Sequence, residues 1–138
     1  MQQLTQEILR LCREYGECRV EAERMEEARR VKNALESVCS MARQRLDISD
    51  PALLLALLDA CEVTRDEGML QEVLDVVGRN LDRLAVSVES VKLLACCYYY
   101  VEEEECVERA GRMLEELRKM GRGEEELADA ETILEELT

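Results

Sequence analysis

Apolar residues recur along almost the whole chain at intervals of three and four, the spacing of helices that bury one face, and no segment alternates apolar and polar residues as a half-buried strand would. Leu4, Ile8, Leu11, Cys12 and Tyr15 mark a first helix over about residues 3–15, with Gly16 able to end it. From Cys18 to Leu46 there is neither Gly nor Pro, and Met25, Ala28, Val31, Leu35, Val38, Cys39, Ala42 and Leu46 hold a stripe. This predicts one long, bent second helix.

Asp47-Ile48-Ser49-Asp50-Pro51 reads as a stop and a restart, with Ser49 or Asp50 as N-cap and Pro51 in the first turn, where its missing N–H costs nothing. The third helix then covers 51–64, and its segment from Ala52 to Leu58 is apolar all round, so it belongs at a buried centre. After a break at Arg65 to Gly68, a fourth helix carries Met69, Leu70, Val73, Leu74, Val76, Val77, Leu81 and Leu84. Ser87 can cap a fifth, bearing Val91, Leu94, Ala95, Cys97 and Tyr98. Val101 to Met120 reads as a sixth, with Cys106, Val107, Ala110, Met113, Leu114 and Leu117 inward, and Gly121-Arg122-Gly123 as its stop. Glu124 to Leu137 puts Leu127, Ala130, Ile133, Leu134 and Leu137 on one face of a seventh, which reads as a terminal cap. The expected class is all-α: seven amphipathic helices stacked as helical hairpins, in a short α-solenoid or a closed bundle, forming one domain over 1–138.

Composition narrows the function more than the fold. The chain of 138 residues has no His, Phe or Trp, so mechanisms that need an imidazole base or ligand are excluded and the core is aliphatic. A net charge of −14 repels phosphate backbones and anionic membrane surfaces, which argues against nucleic acid as a partner. The longest apolar run, Ala52 to Leu58, falls far short of the roughly 20 residues that span a bilayer. Seven cysteines, an odd number, with no signal-like N-terminus fit a reducing, cytoplasmic setting and a monomer. There is no Gly-rich phosphate loop, no nucleophile elbow and no nucleophile beside a base, so no enzyme, catalytic residue or cofactor is expected.

Sliding the chain by 36 positions aligns Leu57-Leu58 with Leu93-Leu94, Ala60-Cys61 with Cys96-Cys97, Leu70 with Cys106, Val77 with Met113 and Leu81 with Leu117. A period in the thirties with two helices per unit characterises hairpin repeats. Over about residues 51–121 the chain resembles the tetratricopeptide and pentatricopeptide repeats, best in Leu93-Leu94-Ala95-Cys96-Cys97-Tyr98-Tyr99-Tyr100 followed by Val107-Glu108-Arg109-Ala110 and Met113-Leu114-Glu115-Glu116-Leu117. The resemblance implies a concave surface that holds a peptide or, in the pentatricopeptide case, single-stranded RNA. RNA calls for a basic face, whereas Glu102-Glu103-Glu104-Glu105 supplies the opposite sign. The long second helix departs from the pattern, since a third copy would need a turn inside it.

Of the cysteines, Cys12, Cys39, Cys61, Cys97 and Cys106 fall on apolar stripes, where a free thiol acts as a small hydrophobe, and without C-x-x-C pairs or His no metal site is expected. Cys106 lies near a helix start, but its glutamate neighbours oppose thiolate character. The acidic runs Glu102 to Glu105 and Glu124 to Glu126 sit in first turns, where carboxylates offset the helix dipole. Tyr98-Tyr99-Tyr100 is the only aromatic concentration. Three consecutive helical residues point about 100° apart, so at least one ring is exposed, either as a binding surface or as a snorkelling helix end. Helix-start glutamates and the missing residue types also resemble de novo designed helical proteins, in which no partner is implied; seven cysteines and fifteen arginines against three lysines are unlike them.

Overall fold

A helix leaves its first amide hydrogens unbonded, and short polar side chains take them up at three starts here. In the computed structural model, which describes residues 2–121 and 123–137, Asp50 accepts from Leu53 N at 3.2 Å, with Pro51 next in line. Asp66 accepts from Met69 N at 3.0 Å and Ser87 from Ser90 N at 3.0 Å. The described residues form seven α-helices and no strand: α1 Gln2–Cys18, α2 Met25–Arg43, α3 Pro51–Thr64, α4 Glu67–Arg79, α5 Val88–Val101, α6 Glu104–Lys119 and α7 Glu124–Leu137. Single 3-10 turns at Ala22–Arg24 and Leu81–Arg83 interrupt the connections. No described helix is long and apolar enough to cross a membrane.

Four boundaries differ from the pattern, the first being that of the sixth helix, which begins at Glu104 and not at Val101: Val101 ends α5, Glu102 and Glu103 form the turn, and only Glu104 and Glu105 of the acidic run lie in a first turn. Gly16 lies inside α1, in open space that a methyl group would fill without contact, so it does not end the helix. The expected long second helix is instead shorter at both ends, Met25–Arg43: α1 runs on to Cys18 and the chain turns between Cys18 and Met25, where Glu21 is extended (φ −111°) and Val20 is exposed. The apolar stripe itself lapses between those two positions. The fourth helix stops at Arg79, and Leu81 and Leu84, both buried, are carried by the 3-10 turn and the residue after it. Of the Gly121-Arg122-Gly123 stop, Gly121 has the positive φ (75°) that only glycine adopts freely, and Arg122 lies outside the described residues.

The helices gather into two units, divided between Val76 and Val77. In the first, α1 and α2 form a hairpin and α3 packs on both. Ile8, Leu11, Leu35, Cys39 and Ala42 are buried together with Leu53, Leu54, Ala56, Leu57, Leu58, Ala60 and Cys61, as the all-round apolar character of α3 requires. Arg43, at the end of α2, makes a two-pronged bond to Glu72 of α4 and lies 3.5 Å from Asp66.

In the second unit, α5 packs on both α6 and α7, and α6 meets α7. Val91, Leu93, Leu94, Ala95 and Cys97 bury against an inward stripe of α6, Cys106, Ala110, Met113, Leu114 and Leu117, and against Leu127 and Ala130 of α7. Arg109 of α6 donates to Glu105 at 3.0 Å, to the Leu81 carbonyl at 3.4 Å and to Asp82, fastening the 3-10 turn to the helix.

Two helix–turn–helix segments, α3–α4 and α5–α6, share one register. Pro51, Thr64 and Glu67 stand 37 positions before Val88, Val101 and Glu104, so both helices and the turn between them correspond. The same step relates Asp50 to Ser87 as N-caps and Arg65 to Glu102 as left-handed C-caps (φ 61° and 52°). It also relates buried Leu54 to Val91, Leu57 to Leu94, Ala60 to Cys97, Met69 to Cys106, Val73 to Ala110 and Val77 to Leu114. The structural step is therefore one residue longer than the 36 of the apolar matching. A one-residue slip turns a helix by about 100°, and the all-round apolar α3 hides such a rotation. α7 stands 36 positions after α5 and buries Leu127 and Ala130 where α5 buries Val91 and Leu94. Where α5 buries Leu93 and Ala95, however, α7 has Asp129 and Glu131, bonded to Lys92 (2.7 Å) and Arg118. The outer side of α7 is therefore polar.

Candidate functional site

Tyrosine at the end of a helix brings a ring that prefers burial and a hydroxyl that prefers water. The last turn of α5 carries Tyr98, Tyr99 and Tyr100, fanned about the axis as consecutive helical residues must be. Tyr98 and Tyr100 are half-buried, whereas Tyr99 is 58% exposed. The rings of Tyr99 and Tyr100 meet edge to face with centroids 5.2 Å apart, a favoured aromatic geometry that fixes the exposed ring in place. Val101, also exposed, ends the helix, and Glu102 turns the chain away with its N–H on the Tyr98 carbonyl.

The turn beyond is acidic. Glu102, Glu103, Glu104 and Glu105 are all exposed; Glu105 binds Arg109 at 3.0 Å, and the pair steadies the first turn of α6. Cys106 follows. Its thiol is pushed up by burial first and then by Glu103 and Glu105, so the helix start does not make it a nucleophile.

Four further thiols behave in the same way. Burial raises Cys12 to about 11, Cys39 to about 12 and Cys61 to about 12, and the proximity of these three to one another adds to the effect on Cys39 and Cys61. Cys97 is raised further still, again by burial first. None of the seven cysteines is in a disulfide. Among the described residues, no three Cys, Asp or Glu side chains converge as a metal site requires.

One surface has no counterpart in the sequence reading. Beside the face it turns to α3, the α1–α2 hairpin opens a groove of about 790 Å³ floored by Leu4, Val38 and Met41. Leu4 and Val38 sit on the helical stripes; Met41, 59% exposed, lies on the neighbouring face of α2. The pattern already places two successive helices there, but Met41 lies off the expected stripe of the second, so the groove between them is not foreseeable from it.

Comparison of the chain with protein-family models, with curated proteins and with solved structures returned no match in any of the three.

Proposed function

We propose that the chain is a non-enzymatic scaffold of tetratricopeptide-like helical hairpins that holds a protein or peptide partner, with Tyr98, Tyr99 and Tyr100 on its contact surface. The observation that carries this reading is the exposed ring of Tyr99, held edge-on by Tyr100, in a protein whose core is built almost entirely from aliphatic side chains and thiols. Aromatic residues so presented dominate the energetics of protein interfaces. Helix–turn–helix segments in a shared 37-residue register support the repeat assignment. Raised thiol pKa values and the absence of histidine support a binding role over a catalytic one. The negative charge favours a peptide over RNA, and buried free thiols suit a reducing, cytoplasmic environment.

The test is a peptide array probed with the labelled protein. Bound sequences should lose signal with Tyr99→Ala and Tyr100→Ala while circular dichroism reports unchanged helicity. Signal indifferent to both substitutions refutes the placement of the contact surface.

A further inference from the structure

We propose that the partner held at Tyr98 to Tyr100 presents a basic segment, with an arginine guanidinium on the exposed Tyr99 ring and a neighbouring cation on Glu102 and Glu103. This rests on the reading of the tyrosines as the contact surface. Tyr99 is the only exposed aromatic ring among the described residues, and Tyr100 holds it edge to face. Glu102 leaves the same turn of helix, because its N–H is bonded to the Tyr98 carbonyl at 2.7 Å. Residues 93–108 contain five glutamates and no lysine or arginine, so this stretch supplies no cation of its own. Glu104 and Glu105 offset the dipole of α6, and Glu105 is taken by Arg109. The carboxylates of Glu102 and Glu103 are exposed and form no ion pair or hydrogen bond among the described residues.

The α3–α4 turn shows the same two positions filled for stability. Arg65, 37 positions before Glu102 and in the same left-handed conformation (φ 61° against 52°), places a cation at the negative end of α3. Asp66, 37 positions before Glu103, caps α4 by accepting from Met69 N at 3.0 Å. Glu102 instead puts a carboxylate at the negative end of α5, whose last turn carries no basic residue. Glu103, at the N-cap of α6, makes no side-chain cap. Both positions thus forgo stabilisation that the sister turn has and add negative charge beside the exposed ring, a trade expected of a surface kept for binding. The complementary ligand is a cation. Arginine suits it better than lysine, since its planar guanidinium stacks on an aromatic face and its fork matches a carboxylate.

The probes are fluorescein-labelled peptides of about 12 residues in a Gly/Ser background, carrying about four arginines, the same number of lysines, or the same number of glutamines. At physiological salt, fluorescence polarisation should show saturable binding of the arginine peptide, weaker binding of the lysine peptide and none of the glutamine peptide. Tyr99→Ala should weaken the arginine peptide about two- to fivefold, and Glu102→Gln with Glu103→Gln about three- to tenfold. Glu115→Gln with Glu116→Gln removes the same two charges from exposed positions of α6. Those positions lie about 16 Å or more from Glu104 at 1.5 Å per residue, beyond the screening length of about 8 Å, so that variant should bind unchanged. All four positions of the two glutamate pairs are exposed, and circular dichroism should report unchanged helicity for every variant. No binding of the arginine peptide, equal binding of the glutamine peptide, or equal weakening by the two glutamate pairs overturns the proposal. Array peptides that need Tyr99 but are indifferent to Glu102 and Glu103 overturn it while leaving the contact surface in place; binding indifferent to Tyr99 overturns both.

Discussion

Glu102 joins α5 to α6 in a conformation that L-residues avoid, with φ 52° and ψ 32°. Its backbone is held there because its N–H caps the Tyr98 carbonyl at 2.7 Å and the next residues must begin α6. Placing a side chain in this left-handed region costs about 1–2 kcal/mol, and glycine removes that cost. Glycine also loses roughly 0.5–1 kcal/mol more chain entropy on folding than alanine. The balance predicts that Glu102→Gly stabilises the protein by about 0.5–1 kcal/mol relative to Glu102→Ala. At about 2.1 cal/mol/K of unfolding entropy per residue over 138 residues, that is a rise in Tm of about 2–3 °C. The alanine variant is the right reference, because it removes the same negative charge and the same exposed side chain while keeping the strained backbone. Urea titrations followed by far-UV circular dichroism measure the difference. A glycine variant no more stable than the alanine variant refutes the reasoning, because the turn would then carry no conformational cost.

The shared register makes Leu57→Ala and Leu94→Ala equivalent cavities at fully buried sites, each costing about 2–5 kcal/mol in the same titration. Ser87→Ala should cost about 1–2 kcal/mol, since it removes the cap on Ser90 N and the partner of the fully buried Ser90 hydroxyl; a loss below that of Asp50→Ala would contradict this. Gly111→Ala, within α6 and with nothing near an added methyl, should gain about 1 kcal/mol in thermal melts. The thiols give the pH dependence its sign. Cys12, Cys39 and Cys61 have folded values raised from about 9 to about 11 or 12, so between those values the unfolded chain loses protons that the folded one keeps. The thiols' contribution to stability is therefore level below pH 9 and falls as pH rises through 9 to 12, and urea midpoints at either end of that window measure it.

Legibility from sequence followed the strength of the local chemistry. The third and seventh helices lie where the pattern put them, because Asp50-Pro51 is an unambiguous start and the Gly121 to Gly123 stretch an unambiguous stop. At Cys18 to Met25 no strong breaker stands in the chain. There the helix yields to the packing of α1 on α2, and the only local trace is a lapse in the apolar stripe. Gly16 erred in the other direction: glycine weakens a helix by only about 1 kcal/mol, which packing of Ile8, Leu11 and Cys18 outweighs. The exposure of one tyrosine followed from helical geometry alone, but which one did not, since it depends on neighbours remote in sequence. The groove at Leu4, Val38 and Met41 depends on how α1 and α2 lie against each other, which the apolar spacing of neither helix specifies.

Packing within each unit joins helices that lie close along the chain: α1 with α2 and α3, and α5 with α6 and α7. Native contacts therefore close short loops, and little entropy is spent before the first of them rewards the search. During synthesis at about 5–20 residues per second, the α1–α2 hairpin has time to sample its native pairing before α3 leaves the ribosome. The apolar face it then exposes is the one α3 arrives to cover.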